Sequence, residues 1–266
     1  MDHREVGQYW NRNAEAWTQL SRAGYDVYRD ALNTPAFLGM LPGVSGLSGL
    51  DLGCGEGHNT RLVAGLGARM TGIDIAERFI EHAKASERAE PLGIEYRVAS
   101  AVELPFADSS FDFAVAFMSL MDIPENDRAL AEAARVLRPG GFLQFSITHP
   151  CTDTPHRKNL RGPDGRTYAL EVGGYYRAEE GRVDRWLFGA APAEARAGLE
   201  AFEVPRFFHT FSRWLNLVIA AGLRIERVEE PTADDETVRR CPAVQDTQVM
   251  PYFVHLRARK PLANDR

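Results

Sequence analysis

The chain has 266 residues, 44% of them hydrophobic and 10% aromatic, enough apolar material for a sizeable core and against a disordered chain. Its 31 basic and 37 acidic residues leave a formal charge of −6 with neutral histidines, a poor basis for general binding to a phosphate backbone. The length suits one large α/β domain with additions, or two small ones.

The polar N-terminus has no apolar core of a signal peptide. Val6, Trp10, Trp17 and Leu20 recur at helical spacing and predict a first helix that stops at Gly24. Thr34-Pro35, read as an N-cap followed by proline at the first helical position, opens a short helix to Met40. Residues 43–49 read as a linker. From there the pattern alternates. A short apolar strand at 49–52 runs into a glycine cluster, and a helix at 59–66 stops at Gly67. A strand covers 70–75, a helix 76–90 and a strand 94–99. Residues 111–117 are apolar almost throughout, as in a strand buried on both faces. A helix at 126–137 is broken by Pro139-Gly140-Gly141, and a fifth strand takes 142–148. This alternation predicts an α/β fold with a doubly wound, mostly parallel sheet. Residues 149–205 break the rhythm with loop and strand character and carry Tyr168, Tyr175, Tyr176, Trp186, Phe188 and Phe202. A helix at 211–221, a strand at 224–230, a loop and a last strand at 252–258 complete the chain. The apolar run near 214–223 contains Asn216 and is too short for a membrane span. Cys54, Cys151 and Cys241 are far apart with no Cys-x-x-Cys pair, so neither a zinc site nor a disulfide framework is expected, which fits a reducing cytoplasm.

The strongest local signal is Leu50-Asp51-Leu52-Gly53-Cys54-Gly55-Glu56-Gly57, between the first strand and its helix. Glycines let the backbone turn tightly and approach a ligand closely. A dinucleotide fingerprint needs its third glycine one residue later, where His58 stands, and a phosphate loop needs a Lys-Ser/Thr pair that is missing. The second strand ends at Asp74. An acid at the carboxyl edge of a parallel sheet can take both hydroxyls of a ribose. Either acid alone suits a helix cap or a loop; both together, with the loop glycines between them, point to a nucleoside site.

Around these residues the chain resembles a known family. The loop from Asp51 to Gly57, Asp74, Leu104-Pro105-Phe106, Phe111-Asp112 and Arg135-Val136-Leu137-Arg138-Pro139-Gly140-Gly141 are similar to class I S-adenosylmethionine-dependent methyltransferases. Within that class they look like the small-molecule branch that includes the quinone-biosynthesis methyltransferases. The likeness covers about residues 47–148 and returns over 210–231. It implies a Rossmann-like sheet of seven strands, the last antiparallel, and S-adenosylmethionine as cofactor. It also implies roles. Asp51 would hold the methionyl ammonium, and Gly53, Cys54, Gly55 and Gly57 would form the loop beneath the methionyl chain. Asp74 would bind the ribose and Ile75 would pack on the adenine. Ser100 stands where many relatives have an aspartate for the adenine, so that contact falls to Ser100 or to the backbone of Ala101 and Val102. Phe117 and Met118 would line the methionyl side. The chain then divides into a helical arm or lid (1–42), a cofactor-binding half (43–148), a substrate-covering insertion (149–205) and a C-terminal helix with strands (206–266), all in a single domain.

Methyl transfer is an in-line displacement on a carbon that the cofactor activates, so the protein must align the acceptor, exclude water and sometimes take a proton. Acceptors bind beyond the carboxyl ends of the strands. That selects Ser119, Met121 and Asp122 after the fourth strand and His149 after the fifth. His149 and Asp122 are the candidate catalytic residues. An imidazole can take a proton near neutral pH; the alternative for His149 is a hydrogen-bonded fixture of the loop exit, and for Asp122 an N-cap of a helix starting near Pro124. His58 reads as structural or cofactor-adjacent, and His209 and Cys151 as weaker candidates. Tyr175, Tyr176 and Trp186 are candidates for the acceptor pocket, against a core belonging to the insertion itself. The run from His156 to Arg161 could pair with an acceptor carboxylate or phosphate, or be a solvated loop. The arm with Tyr9, Trp10 and Trp17 could close as a lid.

The expected activity is methyl transfer to a small molecule or a short peptide terminus. Oxygen is slightly favoured, because Met118-Ser119-Leu120-Met121 stands where an Asn-Pro-Pro-Tyr-like motif would serve amine or amide acceptors. No metal, nucleic-acid or membrane partner is expected, and the oligomeric state is not legible. The rival readings are a non-catalytic protein that binds the cofactor and an NAD-dependent oxidoreductase; the early third glycine argues against the second.

Overall fold

A computed structural model describes residues 1–176 and 181–262; residues 177–180 and 263–266, within the expected insertion and C-terminal segment, lie outside the described residues. Helix α1 (His3–Arg22) begins in a capping box: the Asp2 carboxylate accepts from the Arg4 and Glu5 N–H groups, and the Glu5 carboxylate accepts from the Asp2 N–H. A π-helical turn (Arg29–Asn33) then runs straight into α2 (Thr34–Met40). Thr34 is therefore not an N-cap. The residue before it is already helical, and its hydroxyl donates to Asn59 Oδ1 at 3.0 Å.

The alternation follows as β1 (Ser48–Leu52), α3 (His58–Gly65), β2 (Arg69–Asp74), α4 (Glu77–Ala89), β3 (Glu95–Val98), β4 (Phe111–Phe117), α5 (Asn126–Val136) and β5 (Leu137–Thr148). Strand β5 starts earlier than its sequence suggests. Pro139-Gly140-Gly141 does not separate helix from strand but forms an irregularity within it, because Phe111 pairs with Leu137 and Phe113 with Phe142. A β-carbon on Gly141 would lie 2.6 Å from the Asp112 carbonyl oxygen, so the strands close up only over a glycine.

The insertion is two hairpins. One is β6 (His156–Arg161) with β7 (Thr167–Gly173); the other is β8 (Arg182–Trp186) with β9 (Phe202–Arg206), and α6 (Ala193–Arg196) lies between β8 and β9. Then come α7 (Phe211–Ala220), β10 (Arg224–Glu229), α8 (Asp235–Arg240), a 3-10 segment (Pro242–Gln248) and β11 (Phe253–Arg259). The loop expected between the last two strands thus holds two short helical pieces.

The central sheet runs β10-β11-β5-β4-β1-β2-β3, with β11 antiparallel to both neighbours. This is the doubly wound, seven-stranded arrangement that the resemblance implied. Strand β4 shows why both faces are covered. Phe113, Val115 and Phe117 face a core with Phe37, Val63 and Ile80, whereas Ala114 and Ala116 face one with Leu130, Phe145 and Trp214. Burying each large side chain of this kind contributes roughly 1.5–3 kcal/mol. The strand order reverses between β1 and β4, and their diverging carboxyl ends open a crevice there. Helix α1 lies over it, docked by paired hydrogen bonds between the Asn13 amide and the Glu203 backbone (2.9 and 3.0 Å).

Candidate active site

The β1–α3 loop holds Gly53, Gly55 and Gly57 at φ +72°, +55° and +88°, a region that resists any L side chain. The N–H groups of Gly53 and Cys54 both donate to the Ile73 carbonyl, which fastens the loop to β2. Asp74 holds it from the other side, its Oδ2 accepting from Gly55 N at 2.9 Å, while its Oδ1 accepts from Ala76 N, the N-cap of α4, at 2.8 Å. Burial pushes the Asp74 carboxyl up to about 6, against the pull of these N–H donors. Asp51 is almost fully enclosed. Thr60 Oγ1 donates to its Oδ2 at 2.6 Å, and its Oδ1 has no partner among the described residues. Burial raises this carboxyl to about 7.

Asp51 and Asp74 line one cavity of about 780 Å³, with Gly53, Cys54 and Gly55 between them. Ile75, Ser100 and Ala101 also line it, as do Phe117 at the end of β4 and Met118 just after it. Met118 is held at φ +53°, unusual for a residue with a side chain and typical of positions that a site constrains. Gly57 and Val102 do not line the cavity. Gly57 shapes the loop from behind, where a β-carbon would lie 2.6 Å from Tyr96 Oη, and Val102 N donates to Ser100 Oγ at 3.4 Å. These residues fit S-adenosylmethionine. A buried carboxylate oxygen without a partner suits an ammonium, an acid at the strand end suits a ribose, and the bare backbone between them leaves room for a chain.

The same cavity extends to α1, the π-helical turn and the insertion. Asp122 ends a 3-10 turn (Leu120–Asp122) and lines the cavity; it is 7% exposed, and its Oδ1 has no partner among the described residues. Burial pushes it up to about 7, opposed by the Arg206 guanidinium and reinforced by Asp153. It is not the expected N-cap, because Glu125 precedes α5. Arg206 is paired with Asp153, to which Thr148 Oγ1 also donates. Trp186 lines the cavity edge-on to Trp17, with ring centroids 5.4 Å apart.

His149 is not brought to the cavity. Its Nε2 lies 2.7 Å from Glu230 Oε1, its Nδ1 accepts from Cys151 N at 3.1 Å, and its ring stacks on Phe211. Burial lowers its pKa, with Glu230 opposing. This is the placement of a loop-fixing histidine. Tyr175 and Tyr176 do not line the cavity either: Tyr175 Oη accepts from Phe211 N at 2.8 Å, and Tyr176 is 87% exposed. His209 lies against the Asn126 amide. His58 does line the cavity, as do Arg157 and Arg161 of β6.

Tyr28, Arg29, Asn33, Tyr252 and Arg206 also line the cavity and carry no local signal in the sequence. Asn33 shows why. Its Oδ1 lies 2.7 Å from His255 Nε2, a partner far along the chain that places the whole π-helical turn. Among the described residues no helix is long and apolar enough to cross a membrane, and no cluster of three metal-ligating side chains occurs.

Residues 50–145 match a family described as a methyltransferase domain. The chain is 42% identical over 112 residues to the O-methyltransferase cnsE of Penicillium expansum, covering 40% of this chain and 41% of that protein. It is 35% identical over 148 residues to the demethylmenaquinone methyltransferase of Tropheryma whipplei, covering 55% and 60%. The chain thus spans about two fifths to three fifths of the length of these curated relatives. A crystal structure of an S-adenosylmethionine-dependent methyltransferase from Mesorhizobium loti is similar over 85% of this chain and 96% of that one, with a TM-score of 0.69 and 28% identity. In sheet order, glycine loop and paired acids, as in these likenesses, the chain is similar to class I S-adenosylmethionine-dependent methyltransferases. Within the class, the chain resembles the branch that includes the quinone-biosynthesis enzymes.

Proposed function

We propose that the protein transfers the methyl group of S-adenosylmethionine to a small molecule, favours a hydroxyl oxygen, and uses Asp122 to take the acceptor's proton. The observation that carries this reading is the buried Asp122 carboxyl, with one oxygen unpartnered, on the cavity that Asp51 and Asp74 also line. When bound, the cofactor supplies an electrophilic methyl carbon. Asp51 receives the ammonium, Asp74 the ribose hydroxyls, and Ile75 with Ser100 and Ala101 flanks the adenine. A carboxyl held near 7 is matched to accepting a proton at neutral pH. Trp10 and Trp17 from α1 and Trp186 from the insertion exclude water, which makes residues 1–42 a lid and 149–205 an acceptor cover. A cavity of about 780 Å³ suits a cofactor and a small acceptor better than a peptide terminus. The net charge of −6 speaks against a nucleic-acid acceptor, and the three free cysteines fit a reducing cytoplasm.

The test incubates the protein with methyl-labelled S-adenosylmethionine and a small-molecule extract. The expected result is a labelled small-molecule product, with turnover at least tenfold lower in Asp122→Asn and S-adenosylhomocysteine affinity unchanged. Cofactor binding with no labelled product favours the non-catalytic reading. A thermal shift with NAD and none with S-adenosylmethionine overturns the cofactor assignment.

A further inference from the structure

Resting on that reading, we propose that the acceptor carries an oxyanion, a carboxylate in the first instance, that docks on Arg157 and Arg161. Both lie on β6 at alternate positions with Asn159 between them, and both arginines line the cavity that Asp122 lines. Among the described residues four arginines line this cavity. Two of them have protein counter-ions: Arg29 lies 2.7 Å from Asp30, and Arg206 is paired with Asp153. Arg157 and Arg161 have no carboxylate partner among the described residues. Arg161 Nη1 donates only to the Gly165 carbonyl, at 3.0 Å. The Arg157 guanidinium sits 3.9 Å above the Tyr252 ring, a contact that orients the charge without neutralising it.

A carboxylate on this side of the cavity is already engaged. Asp246 accepts from Tyr28 Oη at 2.9 Å, from Tyr252 Oη at 2.6 Å and from Asn159 Nδ2 at 3.0 Å. Burial raises both phenols, so they stay protonated as donors to it. Asp246 therefore fixes the platform under Arg157 instead of pairing with the arginine. The Tyr28 and Tyr252 rings stack at 5.6 Å, and Trp17, Trp186 and Phe188 supply further apolar wall. Two guanidinium groups beside an aromatic enclosure match an acid with an apolar or ring-bearing body, because the planar fork of arginine fits a carboxylate by two hydrogen bonds.

The experiment uses the full chain saturated with S-adenosylhomocysteine and measures calorimetric affinity for matched probes. These are 4-hydroxybenzoate, 4-hydroxycinnamate and 3-hydroxy-2-naphthoate, the methyl ester of each, and phenyl phosphate. The expected result is at least one acid bound tenfold or more tighter than its ester. Arg157→Ala and Arg161→Ala should each remove that preference while leaving the ester and S-adenosylhomocysteine affinities unchanged. Esters that match their acids throughout, a panel in which no acid binds, or a preference that survives in the double variant overturns the proposal. Phenyl phosphate bound in place of every acid overturns the carboxylate assignment. Loss of S-adenosylhomocysteine affinity in Arg157→Ala also overturns it, by giving the arginine to the cofactor's own carboxylate. A wild-type chain that binds no S-adenosylhomocysteine defeats the underlying function instead, which separates the two failures.

Discussion

Gly53 and Ser119 meet at a point where only a glycine fits. A β-carbon on Gly53 would lie 2.5 Å from Ser119 Cβ, and Ser119 Oγ donates to the carbonyl of Leu52, next to Gly53 in the chain. The contact joins the loop after β1 to the exit from β4, the two strands between which the sheet order reverses. Gly53 and Ser119 both line the cavity, so on the proposed reading its cofactor and acceptor sides share this joint.

Gly53→Ala should therefore lower stability and cofactor affinity together. Alanine at φ +72° costs about 1–2 kcal/mol from backbone strain alone, before the collision with Ser119. A thermal melt and S-adenosylhomocysteine calorimetry check this; unchanged affinity would detach the joint from cofactor binding.

Asp74 anchors the backbone and, on the proposed reading, binds the ribose; its variants separate the two. Asp74→Asn should weaken S-adenosylhomocysteine binding by roughly 1–3 kcal/mol, because the ribose hydroxyls lose a charged acceptor. The amide oxygen can still accept from one of Gly55 and Ala76. Asp74→Ala removes both the Gly55 loop anchor and the bond to Ala76 at the head of α4, so its melting temperature should fall as well. Equal affinity in a folded Asp74→Asn protein would put the ribose elsewhere.

The Asp122 carboxyl gives stability a definite pH dependence. Its folded pKa lies near 7, above the ordinary 3.8, so the native state holds this proton more tightly than the unfolded chain does. The contribution is full below about pH 4 and is lost as pH rises through about 7. Ligand-free Asp122→Asn should melt a few degrees above wild type at pH 8, and the gap should narrow at pH 5. A difference independent of pH would contradict the buried placement.

His149 is lowered instead, so its linkage has the opposite sign. Its contribution is present above the ordinary 6.5 and is lost as the pH falls through its lowered folded pKa. His149→Ala should cost about 1–3 kcal/mol of stability at pH 8, because it removes a buried ring and leaves Cys151 N without its acceptor. S-adenosylhomocysteine affinity should stay as in wild type. A variant of unchanged stability with a large loss of turnover would restore His149 as a catalytic group.

The insertion aromatics should divide by where they point. Trp186→Ala opens the cavity wall and should reduce methyl transfer with cofactor affinity retained. Tyr176→Ala, at an exposed position, should stay within about 0.5 kcal/mol of wild type and leave turnover unchanged. Equal losses of turnover in the two variants would move the acceptor out of this cavity.

The glycine loop, Asp74 and the strand–helix alternation were legible from the residues alone, because tolerance of positive φ and the periods of strand and helix are local properties. Elements whose limits depend on partners were not. Strand β5 extends back to Leu137 because Phe111 of β4 pairs with it, and α2 begins without a cap because the π-helical turn leads into it. The acceptor side was decided almost wholly by tertiary contacts. His149 is the first acceptor-side candidate in the sequence and Asp122 the second, with a helix cap favoured for it, yet the 3-10 turn brings Asp122 to the cavity while the His149 ring is taken up by Glu230 and Phe211. Tyr28, Tyr252 and Asn159, far apart in the chain, all donate to Asp246, and Asn33 is placed by His255. Local sequence set the glycine-loop backbone proposed to receive the cofactor; the direction of each group on the proposed acceptor side was settled by hydrogen bonds and packing between residues far apart in the chain, which no local pattern encodes.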